Sequence, residues 1–227
     1  MMLKNSSYIF LLLLFGIAIF SCTSEKTEKQ TIQEDKTELK KPTSKDTTTF
    51  KEGDIIFHTS TSSQSKAIQL ATDSKYSHVG IIFKDEKDNF IVLEAVQPVK
   101  YTPLKKWIAR GENNHFALKR LKNADKTLTK EAIQKMKTTG EKFIGTNYDL
   151  YFEWSDERIY CSELVWKIYK EALNIEVGKL EKLSSFDLEN DVVKTKMKER
   201  YGNTIPLDEN VISPAAIFDS DKLVLVE

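Results

Sequence analysis

The chain is poor in the residues that most often carry chemistry. Its 227 residues include two cysteines, Cys22 and Cys161, and three histidines, His58, His78 and His115. That is too few thiols for a disulfide framework. The imidazoles are scattered and show no zinc-ligand spacing, which disfavours a structural metal site. An excess of one charge is also missing: 34 basic side chains balance 34 acidic ones, so nothing points to nucleic acid, which calls for a cationic surface. No internal repeat is visible. The one long apolar run, Tyr8 to Phe20, follows a short basic start and ends at Ser21-Cys22. It is shorter than the ~20 residues that cross a ~30 Å hydrocarbon layer and fits a secretory signal peptide.

The residues around Cys22 refine that reading. "IFSC", Ile19 to Cys22, resembles a bacterial lipobox, although Phe20 is bulkier than the usual residue there. The resemblance implies cleavage after residue 21, a thioether-linked lipid on Cys22, and the bilayer as a partner through the acylated Cys22. It places the protein in the bacterial cell envelope, lipid-anchored, with the outer membrane expected. An ordinary secreted protein cut near Ser21 is the alternative. Residues 22–48 combine the lipidated Cys with a Lys-, Glu- and Thr-rich stretch almost free of apolar side chains. Such a stretch cannot bury enough surface to offset its ordering entropy, so it is expected to be a disordered tether. The folded domain is expected over 49–227, about 180 residues, enough for one core.

Within that domain, Ile55 to His58 is a predicted strand and "SSQSKAIQLATDS" a helix capped by Ser62 or Ser63. His78 to Phe83 and Asn89 to Val96 are predicted to form a hairpin around "KDEKD". Val99 to Thr102 extends the sheet, Pro103 to Ala109 makes a helical turn, and "HFALKRL" returns as a strand. Thr129 to Gly145 is helical. A second helix starts near Cys161, with Leu164, Val165, Ile168, Tyr169 and Ala172 as its core-facing stripe. The stretch after Asn174 gives no clear period until "ISPAAIFDSDKLVLVE", a short helix and a last strand. Strands gathered in the middle and flanked by helices predict an α+β fold.

Cys161 is therefore the one thiol left in a lipidated, exported chain. A lone cysteine is either a small buried apolar residue or a nucleophile. Its place at a helix start, outside the core stripe as read here, favours a thiolate through the unpaired N–H groups and the helix dipole. A cysteine nucleophile also needs a base and a group to orient that base. His78 opens the hairpin's first strand. Pairing Phe83 with Asn89 across the loop sets His78 opposite Glu94, the one charged residue in "FIVLEAV", on the same face of the sheet. A slip of one residue would separate them. His58 is a weaker base candidate, and His115 reads as a strand or surface residue.

"GDIIF", "SHVGII", "VLEA", "YD", "IYCSELVW" and "ISPAAI" follow one another in the order found in the circularly permuted papain-like proteins of the YiiX/YaeF group. These are relatives of the NlpC-type cell-wall peptidases and of the lecithin retinol acyltransferase-like enzymes. The likeness spans nearly the whole body, from about Glu52 to Val226. Here the histidine precedes the cysteine, as permutation requires. The resemblance implies Cys161 as nucleophile, His78 as base, Glu94 as the orienting group, and a small antiparallel sheet packed on the Cys-bearing helix. Tyr148 and Tyr160 match motif positions and are expected beside the substrate. No cofactor or metal is required.

The expected activity is that of a membrane-anchored thiol hydrolase cleaving amide bonds, peptide or N-acyl, through an acyl-enzyme on cell-envelope substrates. A peptidoglycan peptide or an acylated small molecule would be the substrate. The alternatives are a lipid acyl hydrolase or acyltransferase, and a non-catalytic ligand-binding lipoprotein of the same fold.

Overall fold

Alternating strand-forming and amphipathic runs fold as one body over residues 50–226, the part of the chain described by the structure, which is a computed structural model. The expected signal peptide, Cys22 and tether lie outside the described residues. In chain order the elements are β1 (Ile55–His58), α1 (Ser63–Thr72), β2 (His78–Lys84), β3 (Phe90–Glu94), β4 (Lys100–Pro103), α2 (Leu104–Ile108), β5 (Ala117–Leu121), α3 (Ala124–Thr127) and α4 (Lys130–Glu141). They continue with β6 (Asn147–Tyr148), β7 (Arg158–Ile159), α5 (Cys161–Leu173), β8 (Glu181–Lys182), α6 (Asp191–Tyr201), β9 (Asn210–Val211), α7 (Pro214–Phe218) and β10 (Leu223–Leu225).

The main sheet has the order β10-β5-β1-β2-β3-β4, and every neighbouring pair is antiparallel. Both faces are covered, which is why β1 and most of β2 are buried without alternation. Ile55, Phe57, Val79, Ile81 and Leu93 point to the face covered by α5 and α4. Ile56, Ile82, Val92 and Leu118 point the other way, onto Phe50, Leu104, Trp107 and Phe116. Fully burying each such side chain is worth roughly 1.5–3 kcal/mol. The fold is α+β, with the small antiparallel sheet packed on the helix that begins at Cys161.

Local chemistry sets the boundaries. The Ser62 side chain accepts the Ser65 N–H at 3.2 Å and starts α1, and Thr129 caps α4 in the same way. The hairpin register differs from the expected one by two residues: Lys84 pairs with Phe90, and Glu94 extrapolates opposite Gly80, not His78. The turn explains the shift. The Asp85 carboxylate accepts the N–H groups of Lys87 and Asn89, both at 2.8 Å, and Asp88 adopts positive φ, so Asn89 belongs to the turn. A shift of two preserves the face, so His78 and Glu94 remain on one side.

Helix α6 has no counterpart among the expected elements. Its inward row, Val193, Lys196, Met197 and Arg200, mixes two apolar residues with two cations, which masks the helical period. Cys161 also departs from expectation. It is 2% exposed and part of the core cluster, alongside the stripe rather than outside it.

Candidate active site

Two elements meet at the cysteine. α5 presents Cys161 at its first turn, anchored on both sides by bonds to the backbone of Ile212. The Tyr160 hydroxyl accepts the Ile212 N–H at 3.1 Å, and the Ser162 hydroxyl donates to the Ile212 carbonyl at 2.7 Å. The first residue of β2, His78, comes from the sheet. Its Nε2 lies 2.6 Å from Oε2 of Glu94, which leaves Nδ1 to face the thiol. His78 and the N–H groups of Val79 and Ser162 all act on the charge state of the Cys161 sulfur.

Glu94 reaches its partners along diagonals. Its cross-strand neighbours are Gly80 on one side and Lys100 on the other, and its carboxylate meets the residues two positions away, His78 and Thr102. Gly80 is what permits this. A Cβ there would sit 2.5 Å from Cγ1 of Val92, 2.9 Å from the Leu93 carbonyl oxygen and 3.5 Å from Cβ of Glu94. The carboxylate also accepts the Thr102 hydroxyl at 2.6 Å and Arg110 NH2 at 2.5 and 2.6 Å. Thr102 and Arg110 were missed in the sequence. Thr102 could have been found from the face it shares with Glu94 in the next strand. Arg110 follows a short helix, and no periodic signal aims it at the site.

The charges follow from these contacts. Burial opposes ionisation of Glu94, but bonds from His78, Arg110 and Thr102 hold its pKa down to about 2. Burial likewise disfavours a charged His78, yet its contacts with Cys161 and Glu94 raise it to about 9. Burial pushes the Cys161 thiol up, while His78 and the two backbone N–H groups more than offset this, so the thiol is lowered overall. The arrangement favours a thiolate–imidazolium pair at neutral pH.

His58 lies directly opposite His78 in the β1–β2 register. Its ring packs 4.2 Å from Trp107, and neither nitrogen has a hydrogen-bond partner among the described residues. Burial, reinforced by the positive charges of His78 and Arg110, lowers it to about 3 and keeps it neutral. His115 is exposed.

Tyr148 completes the centre. Its N–H donates to Oε1 of Gln97 at 2.7 Å, and its hydroxyl accepts from the Gln64 amide at 3.3 Å and interacts with Cys161. Burial, then the Cys161 charge, keeps this phenol protonated, with its pKa well above the usual value. Tyr148 and Gln64 border two hollows. One is a wide cleft of about 870 Å³ of mixed lining that includes His78, Arg110 and several serines. The other is a largely apolar pocket of about 80 Å³ that includes Cys161 and Tyr160 and runs between α1 and α6.

Comparison with known proteins fits this geometry. The protein YiiX of Escherichia coli (strain K12), described as uncharacterized, is 51% identical over 174 residues, which cover 77% of this chain and 84% of the relative. A crystal structure described as that of the metalloprotein yiiX from Escherichia coli O157:H7 matches with a TM-score of 0.74 and 51% identity, covering 78% of this chain and 96% of that one. Residues 49–227 match the family model of the permuted papain-like amidase enzymes, YaeF/YiiX, C92 family. The chain belongs to that family and is a cysteine amidase of the permuted papain-like fold.

Proposed function

We propose that this protein cleaves amide bonds through a Cys161–His78–Glu94 triad. The 2.6 Å contact between His78 and Glu94, on a ring that also acts on Cys161, the one free thiol among the described residues, carries this reading. The thiolate of Cys161 attacks the carbonyl carbon, and the developing oxyanion takes hydrogen bonds from the Cys161 N–H and the Tyr148 hydroxyl. The tetrahedral adduct collapses as His78 passes its proton to the leaving amine. Water then attacks the thioester, His78 accepts a proton from it, the carboxylate product departs and the thiolate is restored. Glu94 holds the ring throughout and is itself held by Arg110 and Thr102.

The two hollows orient the substrate. The leaving group faces His78, which opens onto the wide cleft, and the acyl part extends from Cys161 into the apolar pocket. At about 80 Å³, that pocket is smaller than the ~150 Å³ cavity that accommodates benzene. A short acyl group suits it, which supports amide cleavage over the lipid acyl hydrolase or acyltransferase reading. Tyr160 contributes to the pocket wall.

The crystal structure of the relative is described as a metalloprotein. In this chain no group of three or more His, Cys, Asp or Glu among the described residues could hold a metal ion. His78 has one ring nitrogen on Glu94, so no step is routed through a metal. We further infer from the "IFSC" motif that Cys22 is acylated and tethers the domain to the envelope, where peptidoglycan peptides or acylated small molecules would meet it.

The deciding experiment follows turnover of peptidoglycan fragments and short-chain N-acyl amides by the wild type and by Cys161→Ala. Turnover should vanish in the variant. Thiol-directed labelling of Cys161 should titrate well below the ~8.5 of an ordinary cysteine. Labelling only above that value, with no turnover by the wild type, would favour the binding-lipoprotein alternative. Mass spectrometry of the mature N-terminus should find acylated Cys22.

A further inference from the structure

The inward face of α6 carries more charge than an apolar pocket calls for. Of its two cations, Lys196 is paired with Glu199 at 2.6 Å. Arg200 is half-buried and makes no ion pair or hydrogen bond among the described residues. Its guanidinium carbon lies 4.9 Å from the centroid of the Phe152 ring. Phe152 in turn meets Tyr160 edge-on at 5.1 Å and adopts a φ of 52°, a left-handed conformation unusual for a phenylalanine. Arg200 also lies within electrostatic reach of Tyr148. The pocket therefore begins at the Cys161 thiol, is apolar along Ala67, Ile68 and Met197, and holds a cation with unused donors.

A half-buried guanidinium has given up part of its hydration, and stacking on a ring satisfies its charge but none of its five N–H groups. The partner that satisfies both is an anion placed where a carboxylate or phosphate oxygen can accept a pair of those donors. We propose that Arg200 recognises an anionic group at the far end of a short acyl chain, so that the preferred acyl donor is a short carbon chain ending in an anion. This rests on the assignment of the Cys161 pocket to the acyl side of the substrate, and it names the substrate class for that side. Arg200 touches the substrate rather than the reacting atoms, so it sets specificity. The small volume of the pocket limits the chain to a few methylenes between carbonyl and anion.

The test uses the full chain and two anilides that differ only in the terminal group: glutaryl p-nitroanilide, which ends in a carboxylate, and pentanoyl p-nitroanilide, which ends in a methyl group. Wild-type kcat/KM should favour the glutaryl compound by about tenfold or more, the range of a charge-assisted pair. Arg200→Met should bring that ratio close to one, and Arg200→Lys, which keeps the charge, should retain part of it. A phosphonate-terminated analogue separates the two anion classes. If it outperforms the carboxylate, the anion is phosphoryl in nature and the assignment of Arg200 stands. Calorimetric binding of the same anilides to Cys161→Ala keeps the inference separate from catalysis. Tighter binding of the anionic compound, abolished by adding Arg200→Met, supports the anion site even if the wild type turns nothing over. Equal use or equal binding of the neutral compound, a preference unchanged in Arg200→Met, or no binding of either compound would overturn it.

Discussion

Glu94 and Glu163 are two glutamates with no exposed surface, one bonded to His78 and the other two residues after Cys161, and their pKa values move in opposite directions. Glu94 is ringed by His78, Thr102 and Arg110 and falls to about 2. Glu163, in the first turn of α5, has Lys167 at 2.9 Å and a long 3.4 Å contact from the Tyr160 N–H, and burial prevails, pushing it up to about 8. The desolvation cost is of the same kind at both positions. What differs is the number of donors aimed at the ionised form. The proposed role of Glu94, to stabilise an imidazolium, needs a carboxylate that stays charged, and of these two glutamates only Glu94 has the donors for it.

The strongest way to break the contrast is to neutralise each acid in turn. Glu94→Gln keeps the shape but removes the charge that holds His78 as imidazolium, and kcat should fall about 10³–10⁴-fold, as for other triads that lose their carboxylate. Glu163→Gln should leave kcat/KM within about threefold. Equal losses in the two variants would mean that the His78–Glu94 contact is structural. The expected pH profile follows the same logic: activity rises as Cys161 ionises and falls as His78 loses its proton near its raised value of about 9, and Glu94→Gln should shift the alkaline limb to lower pH.

Arg110→Met is a narrower cut, because it leaves the three residues of the proposed triad in place and removes two of the bonds that hold Glu94. A loss of about tenfold in kcat is expected, in line with removal of hydrogen bonds to a charged group. The sign of the pH effect on stability is fixed. Glu94 is depressed in the folded state, so its contribution is complete above its unfolded value near 4.5 and is lost as pH falls through about 2. Without Arg110 the folded value rises, and the acid unfolding midpoint should move to higher pH. Gly80→Ala tests the diagonal geometry in another way. The new methyl group collides with Val92 and the Leu93 carbonyl, so a stability loss of about 1–3 kcal/mol is expected. The accompanying drop in kcat should be smaller than that of Arg110→Met if Glu94 keeps its other partners.

These residues also show how far the sequence could be read. The helix start at Cys161 and the shared face of His78 and Glu94 were legible because a helix start and a two-residue strand period are local signals. The period tolerated an error of two in the register, since the Asp85 turn moved the pairing without changing faces. Thr102 and Arg110 come from the next strand and the end of a short helix, and only the folded sheet brings them to Glu94. Helix α6 was hidden for a different reason: the row it turns inward includes Lys196 and Arg200, so no apolar stripe announced it. Local periodicity exposes residues that share a face within one element and conceals those that only the assembled sheet or a mixed helix face brings in.

The smallest expected effect lies at Glu163. Its pKa in the folded protein is raised, so its contribution to stability is complete below the unfolded value near 4.5 and is lost as pH rises through about 8, where folding must bear an ionised, poorly solvated carboxylate. Lys167 does not depend on this acid, because its ammonium group also donates to Asp156 and to the Ser155 carbonyl, each at 2.6 Å. Glu163→Gln should therefore be close to neutral at pH 5 and more stable than the wild type at pH 9, by an amount on the order of 1 kcal/mol, measured as the difference in urea midpoints at the two pH values. A variant equally destabilised at both would show that Glu163 is ionised and well paired throughout. The opposition between the two buried acids would then disappear, and with it the reason for assigning the charged role to Glu94 by its donors rather than by its position.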